Sequence, residues 1–377
     1  MKAITDFIKR EAVLVIASVL AVISAFIIPP DKEYLGYIDW RTLGILFCLM
    51  AVVAGLKEQG LFRLLAERML DKVRTIRQLV FVLVGLCFFL SMLVTNDVAL
   101  ITFVPLTFIM LELAGADTLG KWLLPTVAMQ TIAANLGSML TPFGNPQNLY
   151  LYSLSGISPV DFVLILLPYC ALSGVLLAVW IIVGSWKRND PVTVSLAERT
   201  QLKSRRIPLV YGALFLLSLL SVLRVVDYRI TLGVVLLAVV IMDRATLKKV
   251  DYSLLVTFVA FFVFIGNMGR LPLFREAISG VIGGAEVLTS VVSSQVISNV
   301  PAALLLSEFT AEYSALLIGT NLGGLGTLIA SMASLISFKL LAAKYPEKKG
   351  KYMAWFTISN VAFLAVLLGL YFLIRAL

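Results

Sequence analysis

The sequence predicts an all-α polytopic membrane protein made of inverted-topology repeats, with about nine transmembrane helices, two of them broken, plus two re-entrant helical hairpins. Three observations carry this prediction. Composition excludes a soluble domain, because 60% of residues are hydrophobic, 14% are charged and the mean hydropathy is +0.98. A polar unit also occurs twice in apolar surroundings. Thr95-Asn96-Asp97 is followed by Asn135-Leu136-Gly137 and Thr141, and Ser298-Asn299-Val300 by Asn321-Leu322-Gly323 and Thr327. Such groups are costly in lipid unless they line an enclosed cavity, and a duplicated interrupted helix marks a secondary transporter. Finally, the basic residues fall in loops between the apolar runs. The 377 residues therefore read as one integral membrane domain, with a first repeat over 12–186, a cytoplasmic linker over 187–206 and a second repeat over 207–377.

In chain order, the first apolar run, 12–28, has no small-residue cleavage site and exceeds a typical signal core, so it is retained as a helix. Further unbroken spans are expected over 41–56, 159–186, 207–226, 230–242, 252–266 and 352–374. The runs 122–152 and 313–340 are interrupted at the Asn-Leu-Gly sites, so each should be two helices joined by non-helical backbone. The runs 78–113 and 287–309 contain the Thr-Asn-Asp and Ser-Asn-Val turns. Either could be two crossings or one hairpin. The arms of the second are too short for two crossings of about 20 residues each, which favours re-entrant hairpins.

Loop charge sets the orientation. Lys2, Lys9 and Arg10 precede the first span, and Asp31, Glu33 and Asp39 outnumber Lys32 after it, which places the N-terminus in the cytoplasm. Lys57, Arg63, Arg68, Lys72, Arg74 and Arg77 then lie inside, with an amphipathic helix over 61–73. The same scheme keeps Lys187, Arg188, Arg199, Lys203, Arg205 and Arg206 inside, then Arg244, Lys248 and Lys249, then Lys339, Lys344, Lys348, Lys349 and Lys351. The C-terminus emerges outside. Ile38-Asp39-Trp40 begins a span running inward and Val250-Asp251-Tyr252 one running outward, so the repeats are inverted. Orientation explains the net charge of +9 without a nucleic-acid partner.

Cys48, Cys87 and Cys170 lie in apolar runs without CxxC spacing, and there is no histidine. Zinc ligation and His-based catalysis are thereby disfavoured, and proton chemistry must use carboxylates. An intramembrane enzyme would need a second membrane Asp, a serine dyad or HExxH; the chain reads as a non-enzyme without a cofactor, with sodium or a proton as coupling ion. A channel also uses interrupted helices and stays as an alternative.

A helix that begins in mid-membrane presents free N–H groups and attracts anions; one that ends there presents carbonyls and attracts cations. Asn299 near Pro301, and Asn145 before Pro146, have the pattern of a capping Asn with proline in the first turn. Gly144, Gly323, Gly324 and Gly326 permit unusual backbone. The expected solute-binding set is Thr95, Asn96, Asn135, Gly137, Thr141, Gly144, Asn145, Asn148, Ser298, Asn299, Asn321, Gly323, Gly324 and Thr327. Asp97 is the expected coupling-ion group, with Asn96 and Asn299 completing a sodium site. The bland alternative is that these Asn, Thr and Gly residues only join neighbouring helices, and that Asp97 is a helix cap reached by water. Val300 stands where the first tip has Asp97. Glu112, Glu308 and Glu312 read as interfacial charges, and Arg41, Arg224 and Arg270 as interfacial anchors or, turned inward, anion contacts.

The runs Thr95-Asn96-Asp97-Val98-Ala99-Leu100 with Pro105, Leu140-Thr141-Pro142-Phe143-Gly144-Asn145-Pro146-Gln147-Asn148, and Ser294-Gln295-Val296-Ile297-Ser298-Asn299-Val300-Pro301 resemble the ion transporter superfamily. The resemblance covers nearly the full length and is strongest to the YbiR-type transporters of the arsenite-permease and citrate-transporter-like group. It implies two re-entrant hairpins, a scaffold and a mobile transport part, elevator-like alternation and a homodimer in the inner membrane. The related divalent-anion sodium symporters carry Ser-Asn-Thr at both tips. Neither tip here has that final threonine, which argues against a dicarboxylate. The Asn96-Asp97 pair is closer to arsenite-permease tips. The expected function is a secondary transporter of a small anionic or oxyanionic solute, with a cation/proton antiporter or arsenite-permease-like efflux carrier as alternatives.

Overall fold

The computed structural model describes residues 11–186, 189–192 and 206–377. Lys2, Lys9, Arg10, Lys187, Arg188, Arg199, Lys203 and Arg205, on which part of the predicted orientation rests, lie outside the described residues. The chain is helical: α1 (Ala12–Ile27), α2 (Trp40–Glu58), α3 (Leu61–Leu70), α4 (Ile76–Ser91), α5 (Asn96–Leu113), α6 (Ala116–Ser138), α7 (Pro146–Ser155), α8 (Pro159–Gly184), α9 (Arg206–Val222), α10 (Tyr228–Met242), α11 (Tyr252–Gly269), α12 (Pro272–Ile282), α13 (Glu286–Ile297), α14 (Asn299–Leu306), α15 (Tyr313–Leu322), α16 (Met332–Lys344) and α17 (Lys349–Ala376). All seven runs expected to be unbroken spans are helical. The runs expected to be broken divide into α6 with α7 and α15 with α16.

Among the described residues, five helices are long and apolar enough to cross a membrane: α2, α5, α8, α11 and the segment Pro346–Ala376 that contains α17. Four shorter apolar helices, α1, α4, α9 and α10, accompany them. Their outward faces fit lipid. On α17, Tyr352, Phe356, Phe363 and Leu367 are buried while Ile358, Val361, Val366 and Phe372 face out. An apolar exterior of this extent is stable only in a bilayer.

One order of elements runs twice. A helix capped by an aspartate (Asp39 accepting from the Thr42 amide, Asp251 from the Leu254 amide) leads to a short helix, α3 or α12. Then come a helical hairpin (α4–α5, α13–α14), a broken helix (α6–α7, α15–α16) and a long final helix (α8, α17). The capping works because each Asp carboxylate satisfies an amide that the first turn leaves free. The sequence pattern showed an amphipathic helix only after α2; its counterpart α12 bends by 113° into α13. The two hairpins differ in size. α13 and α14 have 12 and 8 residues, whereas α4 and α5 have 16 and 18, so α5 meets the length of a crossing.

Packing is reciprocal between the halves. The hairpin arm α5 lies on α16, and its counterpart α14 lies on α7; α6 lies on α17, and α15 on α8. The remaining helices sit outside this scheme. α1 packs along α11, and both α9 and α10 pack along α2. Asn267 of α11 donates to Ser24 Oγ at 3.0 Å and Tyr34 Oη at 2.8 Å, and Arg270 meets Asp31 at 2.8 Å, tying the first helix to the second half. Close approach inside each half needs glycine. A Cβ on Gly137 would strike the Phe88 carbonyl, and one on Gly319 would come within 2.9 Å of the Val287 backbone.

Candidate solute and cation site

The hairpin tips and helix breaks correspond residue by residue. Thr95 and Ser298 form the tips, with φ of 125° and 73°, a strained setting for residues other than glycine. The following amide reaches across in each half: Asn96 N–H donates to the Gly144 carbonyl at 3.2 Å and Asn299 N–H to the Ala330 carbonyl at 3.0 Å. Those carbonyls immediately precede the caps of the second half-helices, where Asn145 Oδ1 accepts the Asn148 amide at 2.9 Å and Ser331 Oγ accepts the Ser334 amide at 3.2 Å. Thr141 Oγ1 donates to the Met92 carbonyl at 2.6 Å, and Thr327 Oγ1 to the Gln295 carbonyl at 3.3 Å. Each tip is therefore hydrogen-bonded to the break of its own half.

The structure corrects one expected cap. Ser298, not Asn299, is the N-cap of α14, and Asn299 is its first residue. The positive φ of Ser298 moves the helix start one residue earlier than the Asn-x-Pro pattern implies. Asn145 caps α7 as expected, with Pro146 in the first turn.

Between the halves, the asparagine of each Asn-Leu-Gly run meets the cap of the other half. Asn135 Nδ2 donates to Ser331 Oγ at 3.1 Å and approaches the Gly324 carbonyl at 3.4 Å. Asn145 Nδ2 donates to Asn321 Oδ1 at 3.1 Å and to Ser138 Oγ at 3.3 Å. Asn321 Nδ2 donates to Asn148 Oδ1 at 2.6 Å, and Asn148 Nδ2 to the Met139 and Thr141 carbonyls at 3.1 and 3.2 Å. Asn96 Nδ2 donates to Asn135 Oδ1 at 3.2 Å. Thus Asn96, Asn135, Asn145, Asn148, Ser298, Asn299 and Asn321 come together and are all buried, with Gly324 against them.

Most of these amides bond one another, as buried polar groups must. Two groups do not. Asp97 keeps one carboxylate oxygen, Oδ1, buried without a partner. The Asn299 side chain makes no hydrogen bond among the described residues and rests on Gly324, where an added Cβ would come within 3.0 Å of Asn299 Nδ2. At the second tip Val300 is buried and apolar, so the two tips differ chemically. The Asp97 carboxylate on the first turn of α5 and the Asn299 carboxamide on the first turn of α14 are thus polar groups left over at the two tips, and the starts of α5, α7, α14 and α16 carry free amides while the ends of α6 and α15 carry free carbonyls.

Other singled-out residues lie elsewhere. Thr327 is exposed and Thr141 half-buried. Arg270 is paired with Asp31 and Glu33, Arg41 donates to the Ser221 carbonyl at 3.1 Å, and Arg224 donates to the Tyr152 and Ser153 carbonyls at 3.0 and 3.2 Å. Glu112 pairs with Lys344 at 2.7 Å, and Glu308 with Arg275 at 3.6 Å. Ser331 is a central group that the sequence reading missed; its Ser-x-x-Ser spacing before an apolar run is a capping signal. Ser91 and Ser294, four residues before each tip, press against Gly137 and Gly323 and give no such signal.

A citrate transporter family model matches residues 2–315 of the chain, which takes in both tips and the first break. This chain belongs to the citrate transporter family. It is a membrane transporter and not an enzyme. Among relatives in the family's range, an uncharacterised transporter of Methanocaldococcus jannaschii is 32% identical over 310 residues, covering 82% of this chain and 83% of its own. The inner membrane protein YbiR of Escherichia coli strain K12 is 30% identical over 325 residues, covering 84% of each. A shorter match joins the silicon efflux transporter LSI3 of Oryza sativa subsp. japonica, 35% identical over 161 residues, 43% of this chain and 32% of the relative.

Proposed function

We propose that this member of the citrate transporter family is a secondary active transporter that moves a small anionic or oxyanionic solute, coupled to sodium or protons by elevator-like alternating access. The observation that carries the reading is the buried, unpartnered Oδ1 of Asp97 at the first hairpin tip. An intramembrane carboxylate without a partner demands a proton or a cation. In this reading Asp97 binds that ion and Asn96, whose Oδ1 accepts the Asp97 amide, and Asn299 serve as its further ligands. The solute lies where the half-helix starts converge, against Thr95, Ser298, Asn299, Gly323 and Gly324, and the N-terminal ends of α7 and α16 supply the favourable field for its negative charge.

The reciprocal contacts support an inverted repeat. Asn135 with Ser331 and Asn321 with Asn145 form an i-to-j and j-to-i pattern, which is what a two-fold axis between the halves produces. From loop charge and the family resemblance we further infer that both hairpins are re-entrant, although α5 has the length of a crossing, that the N-terminus is cytoplasmic and that the working unit is a homodimer in the plasma membrane.

The rice silicon efflux relative favours a second reading, an efflux carrier for an oxyacid or its anion. Proteoliposomes separate the two: radiolabelled citrate, arsenite and silicate are offered under an imposed sodium gradient and an imposed proton gradient. Gradient-driven accumulation of one solute that Asp97→Asn abolishes supports the transporter reading. Ion exchange with no solute dependence would make the protein a cation/proton antiporter, and large unsaturable currents would make it a channel.

A further inference from the structure

The break in the second half is filled by a side chain that its counterpart in the first half cannot imitate. Gln295, on α13, aims its amide into the gap after α15. Nε2 donates to the carbonyls of Val291 at 3.1 Å, Gly323 at 3.0 Å and Leu325 at 2.9 Å, while Oε1 accepts the Thr327 amide at 2.9 Å. An amide nitrogen has two hydrogens, so one of the three bonds is shared. The backbone wraps closely around this group: Gly326 has φ of 105°, and a Cβ there would strike Gln295 Oε1. Only glycine combines that φ with that contact.

Met92 holds the corresponding place in the first half, since its carbonyl accepts from Thr141 as the Gln295 carbonyl accepts from Thr327. A thioether has no N–H to donate. There the carbonyls of the break, Met139 and Thr141, are held by Asn148 Nδ2 instead, a residue of α7, which continues the same broken helix. The Gly323 and Leu325 carbonyls are thus held by a side chain of the hairpin, and those of Met139 and Thr141 by a side chain of the helix's own continuation.

Carbonyls at the end of a half-helix carry partial negative charge and, left free, attract a cation. We propose that Gln295 is a tethered substitute for a cation in the second break. Its amide holds the Gly323 and Leu325 carbonyls as a bound monovalent ion would, and it keeps ions out of that break. Cation binding in this chain is then confined to the first tip; that last clause rests on the role of Asp97 proposed above, whereas the role of Gln295 does not. Gln295 acts on the site through the backbone of 323–327 and is a positioning residue.

The test is amide hydrogen exchange across 323–327 on the full-length protein in lipid nanodiscs, in sodium, lithium, potassium or choline chloride at constant ionic strength. In the wild-type protein this segment should exchange at the same rate in all four salts. In Gln295→Met, which copies the first half, the Thr327 amide should exchange about tenfold faster or more, and sodium, lithium or potassium should restore part of the protection. Gln295→Glu keeps the acceptor for Thr327 and places a carboxylate among the carbonyls, so its protection should depend most strongly on the small cations and least on choline. A segment that is cation-dependent in the wild-type protein overturns the proposal. So does faster exchange in both variants that no cation reverses, because Gln295 would then be a structural hydrogen bond alone. If the Asp97 reading fails, 95–97 and 139–145 show no cation response in wild type while the Gln295 results stand.

Discussion

Asn145 donates a 3.1 Å hydrogen bond to Asn321, joining the cap of one broken helix to the last turn of the other across the centre of the molecule. Neither residue is near the other in sequence, and both are buried. The bond therefore measures whether the two halves are seated on each other.

Replacing Asn321 with alanine leaves Asn145 Nδ2 with only Ser138 Oγ as acceptor and Asn148 Oδ1 without its donor. The expected loss is about 1–3 kcal/mol of stability, read from unfolding in mild detergent. The pair Asn145→Ala/Asn321→Ala should cost less than the sum of the single changes, since both remove one shared network.

Close helix approach gives a sharper contrast between two glycines of the first half. Gly137→Ala drives a methyl group into the Phe88 carbonyl and to 2.7 Å from Ser91 Oγ, whereas nothing lies within 4 Å of a methyl group at Gly85. Gly137→Ala should destabilise by about 1–3 kcal/mol. Gly85→Ala, inside α4, should keep stability or raise it by up to about 1 kcal/mol. Melting temperatures of the two purified variants check both.

The link between α1 and α11 should respond to acid. The Arg270 guanidinium bonded to Asp31 holds that carboxyl below its usual range, with the Glu33 amide adding to the effect. A folded pKa below the unfolded one gives stabilisation that is present above the unfolded value of about 3.9 and lost as pH falls through the folded value. Asp31→Asn should therefore melt below wild type at pH 7, and the two should converge as pH falls through the folded value. A constant difference across that range would assign the effect to packing.

Much of this buried polar cluster was legible because membrane helices tolerate so few polar groups. Asn135, Asn145, Asn299 and Asn321 stood out against apolar surroundings, and all are found at the centre. The breaks themselves were marked by Gly137, Asn145-Pro146 and Gly323. What spacing could not show is partner choice. Whether an asparagine amide is free to bind an ion or is occupied by another asparagine depends on contacts between the halves, such as Asn135 with Ser331. Gln295 was equally opaque, since a glutamine one turn before a tip gives no sign that it reaches the Leu325 carbonyl. The size of the first hairpin was also obscured: its turn resembles that of the second hairpin, yet α5 has 18 residues and α14 has 8.

The most direct test of the central claim, that Asp97 holds the coupling ion, is a thermal-stability series on the purified protein with sodium, lithium, choline and stepped pH, repeated on Asp97→Asn. A ligand that favours the folded state at about 100 times its dissociation constant adds about 2.7 kcal/mol, a readily visible rise in melting temperature. The wild-type protein should be stabilised by sodium or lithium, or by protons as pH is lowered, and Asp97→Asn should show no such response. An Asp97→Asn protein that responds to cations and pH as the wild type does would remove Asp97 from the site and contradict the coupling scheme.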